Sequence, residues 1–451
     1  MVATILTVRA QAGSVSDAPS FPIVDIVVVG TRWSSRDLVE SELRLERGKS
    51  YTESDLGAAR RRLHRLPFIL DADFSLQKGP SYGTYVLVVR VRESKPFLLH
   101  YVRGHVRSSE TMEMSGVSSS PRTSHGSSVG QDLAVGARVF FSGYGFGYVV
   151  ADRASRSRGG DVTPYYTLDT GINYYNLFGK GVFLNLDVRF TAGQKLSLYD
   201  EQSASEFAVR SKQHPSPSVA VSVPLSVNQW LSVDAYYSAS TQNYDFDALG
   251  QPFVDRVRDR RLQLGMTWTF DSTDDLLVPT AGTRAESGLS HISLVSTQRS
   301  TRRSDRLSDA LGATSAARDS SEREFTGKAT QVFASFVVFV PVREQLSVKL
   351  GALGSVRLSD AGDLIGDPGF RRFALDAAAS WDLWGPGLTS RFGDLRLEAG
   401  LQAFGQAHRY QRSTGWQIEM GIVYRSEWAY LRFSYRHVRT STTVESSRSF
   451  E

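Results

Sequence analysis

Few residues of this chain stand where catalysis would need them. The eight histidines are scattered, and His100 and His105 fall on opposite faces of one strand. No HExxH, GxSxG or phosphate-loop pattern occurs. Gly143-Tyr144-Gly145-Phe146-Gly147 is glycine-rich but lacks the helix start that phosphate binding requires, and reads as a tight turn. The acidic pairs Asp274-Asp275 and Asp360/Asp363 carry charge enough for a cation, yet loop carboxylates ordinarily stay solvated. Cysteine is absent, which excludes thiolate and disulfide chemistry. The expectation is a protein that is not an enzyme and holds no metal or cofactor. What remains is charge carried on one face of strands. Glu398 is the leading case. In Gly393–Gly405, Leu395, Leu397, Ala399, Leu401 and Ala403 alternate with Arg396, Glu398, Gly400 and Gln402. Glu398 and Gly400 therefore share a polar face. A carboxylate there can accept a bidentate guanidinium, whose planar fork fixes direction as well as charge. Arg396 or another base on that face is its plain partner.

The same alternation recurs at Val182–Thr191, Leu262–Asp271 and Gln417–Tyr424. Repeated strands of about ten residues, apolar on one side and polar on the other, are what a transmembrane β-barrel needs. No run of 18 apolar residues exists to make a membrane helix. A mean hydropathy of −0.24 does not oppose the barrel, because alternation hides apolar residues in the average. Aromatics at 11% suit interfacial girdles, and Tyr165, Tyr166, Tyr174 and Tyr175 lie at the two ends of one strand. Net charge is +5, but arginine is spread through the chain rather than gathered in a patch, so no nucleic acid is expected.

Serine- and arginine-rich stretches at 107–130, 152–164, 200–216, 242–259 and 293–327 read as long loops, and they alternate with short connections. Sixteen antiparallel strands follow, from 97–106 to 443–450, with fourteen as the fallback and both ends of the barrel on one side of the membrane. A soluble sandwich fails, since so many amphipathic strands in one run have no second face to bury against.

Ahead of the strands the period changes. Residues 1–20 read as a remnant export signal or a disordered tail: Val2–Val8 is a short apolar run, followed by Ala10-Gln11-Ala12. Residues 21–94 read β-α-α-β-β, with a capping-box-like start at Thr52–Asp55 and Leu56, Ala59, Leu63 and Leu66 at helical spacing. Arg60, Arg61, Arg62, His64 and Arg65 line that second helix, as a solvated face or a surface for a partner or lipid headgroups. The pattern resembles a POTRA domain, the periplasmic module of the BamA/TamA superfamily (the bacterial surface antigen family). The residues that carry the likeness are Val27–Gly30, Gly48-Lys49-Ser50-Tyr51, Leu63–Phe68 and Val89–Glu93.

Residues 95–451 resemble that superfamily's barrel. Asn176–Gly181, Asp271–Gly282 and Trp381–Pro386 are similar to its turns and strand ends. Phe370-Arg371-Arg372-Phe373 resembles the sixth outer loop's aliphatic-Arg-Gly-aromatic signature, with Arg372 in place of the glycine. Leu397-Glu398-Ala399-Gly400 matches the partner motif on strand 13, with Glu for the usual Asp. The resemblance implies a lock between Arg371 and Glu398 inside the barrel. It also implies an outer-membrane protein with its N-terminal domain in the periplasm, acting on nascent outer-membrane or secreted polypeptides without a cofactor. A further periplasmic partner would dock through the POTRA domain. A client strand would pair at a lateral seam between Phe97–Val106, with Tyr101, and Thr443–Phe450, with Ser447 and Phe450. A passive channel without insertase activity is the alternative, and a two-partner secretion pore a weaker one.

Overall fold

The structure is a computed structural model. It describes residues 19–64, 66, 68–115, 122–158, 161–192, 194–200, 205–226, 228–245, 253–274, 279–301, 320–343, 345–359, 371–383, 394–407, 411–426 and 428–444.

The N-terminal unit comprises β1 (Ser20–Val29), α1 (Arg36–Leu43), β2 (Lys49–Thr52), α2 (Glu53–Leu63), β3 (Ile69–Lys78) and β4 (Tyr85–Glu93). Its sheet runs β2-β1-β4-β3, with β1 and β4 parallel at the centre. The short β2, pairing with Ser20–Ile23, is the one element that the expected order lacked. Both helices start on capping side chains. Ser35 Oγ accepts from the Asp37 amide, and Thr52 and Asp55 form a complete capping box at 2.9 and 3.3 Å. Ile23, Val28, Leu38, Val39, Leu43, Leu63, Leu87 and Val89 are fully buried between sheet and helices. Gly30 lies at φ +95°, and a Cβ there would stand 2.2 Å from the Val91 carbonyl oxygen, so the end of β1 needs glycine twice over.

The rest is a large sheet. Its strands are β5 (Phe97–Ser115), β6 (Arg122–Ser142), β7 (Gly145–Arg158), β8 (Asp161–Leu177), β9 (Val182–Ala192), β10 (Gln194–Asp200), β11 (Ser205–Gln213), β12 (Ser216–Ser226), β13 (Gln229–Asp245), β14 (Phe253–Asp271), β15 (Gly282–Thr301), β16 (Ser320–Arg343), β17 (Leu346–Ser359), β18 (Arg371–Asp382), β19 (Asp394–Ala407), β20 (Gln411–Arg425) and β21 (Ala429–Val444). Neighbours in sequence pair antiparallel. β10 and β11 form a hairpin whose β11 pairs with the last residues of β13, Ala208↔Asp245 to Gln213↔Ser240, while β9 pairs directly with β12. β21 pairs with β5. The pairings thus return on themselves as a ring of fifteen strands among the described residues, each with a neighbour on both edges.

The ring corrects the expected sixteen, and the fallback of fourteen with it. Residues 438–444 do not turn back but continue β21. Val438-Arg439-Thr440-Ser441-Thr442 holds β-branched residues and no Gly, Pro, Asn or Asp, so nothing local breaks the strand. An odd number of otherwise antiparallel strands must close with two running the same way, and β21 is parallel to β5 from Ala429↔Leu99 to Val444↔Ser115. Val444 therefore ends opposite the end where β5 begins, rather than beside it.

Strand lengths depart from expectation too. β14 has 19 residues, β15 20 and β16 24, well beyond the nine to eleven or so that cross a bilayer. Much of what read as loop at 107–130, 152–164, 242–259 and 293–327 is strand carried past the apolar zone. Backbone pairing sustains a ladder without a continuous apolar face.

One face of the ring's strands is apolar and exposed. Leu264 is 50% exposed, Phe336 51%, Leu350 52%, Leu375 60%, Leu401 54% and Met420 53%. The alternate positions carry Asp376, Ser380, Glu398, Gln402, Gln417 and Glu419, which line one cavity of about 540 Å³.

Candidate functional site

Glu398 stands on β19 in the wall of that cavity. Its carboxylate lies 3.0 Å from Nη2 of Arg432 on β21. Arg432 also reaches Glu419 of β20 at 3.4 Å, and Arg436 reaches the same carboxylate at 2.8 Å. Across β17 and β18, Lys349 pairs with Asp376 at 2.7 Å, and Arg396 pairs with Asp382. Gly400 lies directly opposite Glu419 and beside Ala378, so two of its neighbours lose no room to a side chain there. The Glu398 and Arg432 side chains are 28% and 36% exposed, so the cluster is wet. Each pair at such exposure contributes only about 0–1 kcal/mol. Its effect is on the field inside the cavity, where Arg284, Lys349, Arg432 and Arg436 face Asp376, Glu398 and Glu419.

The structure does not bring Arg371 to Glu398. Arg371 opens β18 opposite Ala407, whereas Glu398 is opposite Ser380. Nine residues of strand separate the two positions, about 30 Å. Arg371 also shares the outward face of Phe373, Leu375 and Trp381, which are 59%, 60% and 55% exposed. Arg372, which stands where the resembled signature has glycine, has the parity of Asp376 and Ser380 instead. Phe370 lies outside the described residues. The base that meets Glu398 is the other kind foreseen, one from the polar face. Its signal was present in Leu431-Arg432-Phe433-Ser434-Tyr435-Arg436, where polar and apolar residues alternate.

The expected seam moves as well. Tyr101 is on β5 and pairs with Gly136 of β6, but the strand on the other edge of β5 is β21. Ser447 and Phe450 lie outside the described residues. Near the base of β5 the register shifts on both sides, between Leu98 and Tyr101 against β6 and between Ala429 and Leu431 of β21.

A second arrangement had little sequence signal. The N-terminal unit is docked onto the end of the ring that carries the short turns. Phe68, 1% exposed, sits edge-on to Phe140 and Tyr175 at 5.2 and 5.7 Å. Arg138 is 2% exposed, donates to Ser94 Oγ at 3.0 Å and lies 5.4 Å from the centre of the Phe146 ring. The Ser35 amide donates to the Gly143 carbonyl at 2.9 Å, and Arg44 to the Ser226 carbonyl at 2.9 Å. A Cβ on Gly143 would come within 2.8 Å of the Ser35 backbone nitrogen, so this turn is glycine because the unit sits against it. Within the unit, Arg62 corrects part of the expected basic helix face. It is 4% exposed and donates to the Glu42 and Leu43 carbonyls at the end of α1. Burial holds its guanidinium down to about 10. Arg60 stays at the surface, 3.7 Å from Asp71.

No protein-family model matches the chain, and no curated protein does. Among solved structures it is similar to BamA from Haemophilus ducreyi lacking POTRA domains 1–3, at 10% identity and a TM-score of 0.38, over 93% of this chain and 81% of that one. It is similar to CdiB from Acinetobacter baumannii at 7% identity and a TM-score of 0.37, over 89% and 70%. The siderophore receptor PiuA from Acinetobacter baumannii also matches, at 8% and 0.33, over 95% and 73%. TM-scores this far below 0.5 leave the family open.

Proposed function

We propose that the ring is a barrel spanning a bacterial outer membrane, and that the N-terminal unit is a POTRA domain on its periplasmic side. The observation that supports this most is the sidedness of the strands. Leu375, Leu401, Met420 and their neighbours face outward from the ring, while Asp376, Glu398, Gln402 and Glu419 face a shared interior. A soluble protein rarely leaves so large an apolar surface uncovered, whereas lipid covers it without cost. Closed pairing also leaves no unsatisfied edge, which hydrocarbon demands.

On this reading the protein is not an enzyme. It inserts or translocates polypeptides across that membrane, by pairing a client strand at the seam of β21 and β5. Parallel pairs are slightly weaker per residue than antiparallel ones. The paired register shifts around Leu99–Tyr101 mark the foot of β5 as the place where the seam opens. A passive channel is favoured by a different observation, the unbroken pairing of the seam from Leu431 to Val444. Reconstitution separates the two. The full chain in vesicles should speed the folding of an added outer-membrane β-barrel client over protein-free vesicles. Steady ion conductance in planar bilayers, with no effect on client folding, would establish the passive channel instead.

A further inference from the structure

The outward face of β14 changes character abruptly. Leu262, Leu264 and Met266 are exposed and apolar, at 45%, 50% and 43%. The next three residues on that face, moving away from the N-terminal unit, are Arg260, Arg258 and Arg256, all exposed. On β15, Arg299 stands directly opposite Arg256 and is also exposed. Paired residues share a face, so two guanidinium groups meet side by side. Like charges directly opposed on a sheet destabilise it unless something of opposite sign lies between them. Glu322 is opposite Arg299, and Glu324 opposite Thr297, so two carboxylates border four arginines. None of the four arginines makes an ion pair among the described residues. A second basic row occurs on the same side of the ring, where Arg371 and Arg412 flank Ala407 across β18, β19 and β20.

Given the membrane-spanning reading, these side chains emerge just where hydrocarbon gives way to headgroups. Arg256 is four residues past Arg260, about 13 Å along the strand, and arginine carries its charge outward on a long apolar stem. We propose that Arg256, Arg258, Arg260 and Arg299 form a binding site for the phosphate of a lipid headgroup in the leaflet away from the N-terminal unit. The choice of ligand follows from chemistry. Guanidinium forks match phosphate oxygens in pairs, and several converging on one phosphate relieve their mutual repulsion. A lipid supplies that phosphate at the depth where the forks stand and is held there by the apolar face below them.

The proposal is tested on the full chain folded in zwitterionic micelles doped with phosphatidylglycerol or with phosphatidylcholine, with native mass spectrometry as the readout. The folded protein should retain phosphatidylglycerol about tenfold better than phosphatidylcholine. Arg258→Gln with Arg299→Gln should abolish the preference. Arg258→Lys with Arg299→Lys should keep part of it, because charge remains and the fork is lost. Excess inorganic phosphate should not displace the lipid. Equal retention of both lipids by the unaltered protein overturns the site, as does a preference that survives the glutamine pair. Full displacement by inorganic phosphate makes it a free-anion site and overturns the lipid. A chain that folds in buffer without detergent and takes up no lipid overturns the membrane reading as well, an outcome distinct from folding in micelles without preference.

Discussion

Glu398 shows how far one residue's chemistry depends on strand parity. Its partner is chosen by which side chains share its face and row, not by which arginine carries a family motif. Arg432 shares the face and stands two residues from the row, opposite Val423 rather than Gly421, close enough to reach Glu398 at 3.0 Å; Arg371 meets neither condition. Alternation counted back from Trp381 through Leu375 and Phe373 already puts Arg371 outward, so the sequence contained the means to reject the lock. A double-mutant cycle reads the difference. Glu398→Gln and Arg432→Gln should couple by about 0.5–1 kcal/mol in unfolding from micelles, the size of a half-exposed pair within a network. Glu398→Gln and Arg371→Gln should add within about 0.3 kcal/mol, as distant sites do. Coupling of Glu398 to Arg371 and none to Arg432 would restore the lock.

At the scale of elements, the apolar stretches of Val182–Phe190, Leu262–Phe270 and Ile418–Tyr424 located β9 closely and the later parts of β14 and β20, because a strand with one apolar face writes a period of two. The extensions of β14, β15 and β16 left no such mark. Arg256, Arg258, Arg299, Glu322 and Glu324 stand exposed there while Val257 and Ser296 are buried, so no apolar run marks the alternation, and backbone hydrogen bonds, which any non-proline residue can make, carry the ladder. The helices were legible for another reason: their caps are local. Thr52 and Asp55 satisfy each other's amides three residues apart. Thr52→Ala should cost about 1 kcal/mol in the protection of α2 amides from hydrogen exchange. The Thr52 amide and hydroxyl hold the Asp55 carboxyl below its ordinary 3.8. A carboxylate so depressed stabilises the folded state above the unfolded value and loses that contribution as pH falls through the folded one. Asp55→Asn should therefore lower α2 protection at neutral pH, and the gap to the unaltered protein should close as pH falls below 3.8. A gap unchanged at acid pH would mean that the carboxylate charge plays no part in the cap.

For the whole molecule, the decisive feature is the way the ring closes. A strand that turned back after 437 would give an even count and an antiparallel seam. β21 continuing to Val444 gives an odd count and a parallel one. The two differ in a way that chemistry can read without any image. In a parallel pair, partners keep a constant difference in residue number; in an antiparallel pair they keep a constant sum. His105 pairs with Ser434 and Thr111 with Thr440. Ser434 and Thr440 have the parity of Arg432, which faces the wet interior where an oxidant has access. The chain has no cysteine of its own, so engineered pairs report cleanly. Adjacent strands lie about 4.8 Å apart, within the span that a disulfide bridges. His105→Cys with Ser434→Cys should oxidise to a crosslinked species of altered gel mobility, and Thr111→Cys with Thr440→Cys should do the same. The crossed pairs, His105→Cys with Thr440→Cys and Thr111→Cys with Ser434→Cys, are offset by about 20 Å along the strands and should stay reduced. Crosslinking of the crossed pairs alone would mean that β21 runs antiparallel to β5. On the proposed insertase reading, locking the parallel pairs should stop client insertion and reduction should restore it, because the pairing that the client would replace can no longer part. Undiminished insertion through a crosslinked ring would place the working edge elsewhere than between β21 and β5.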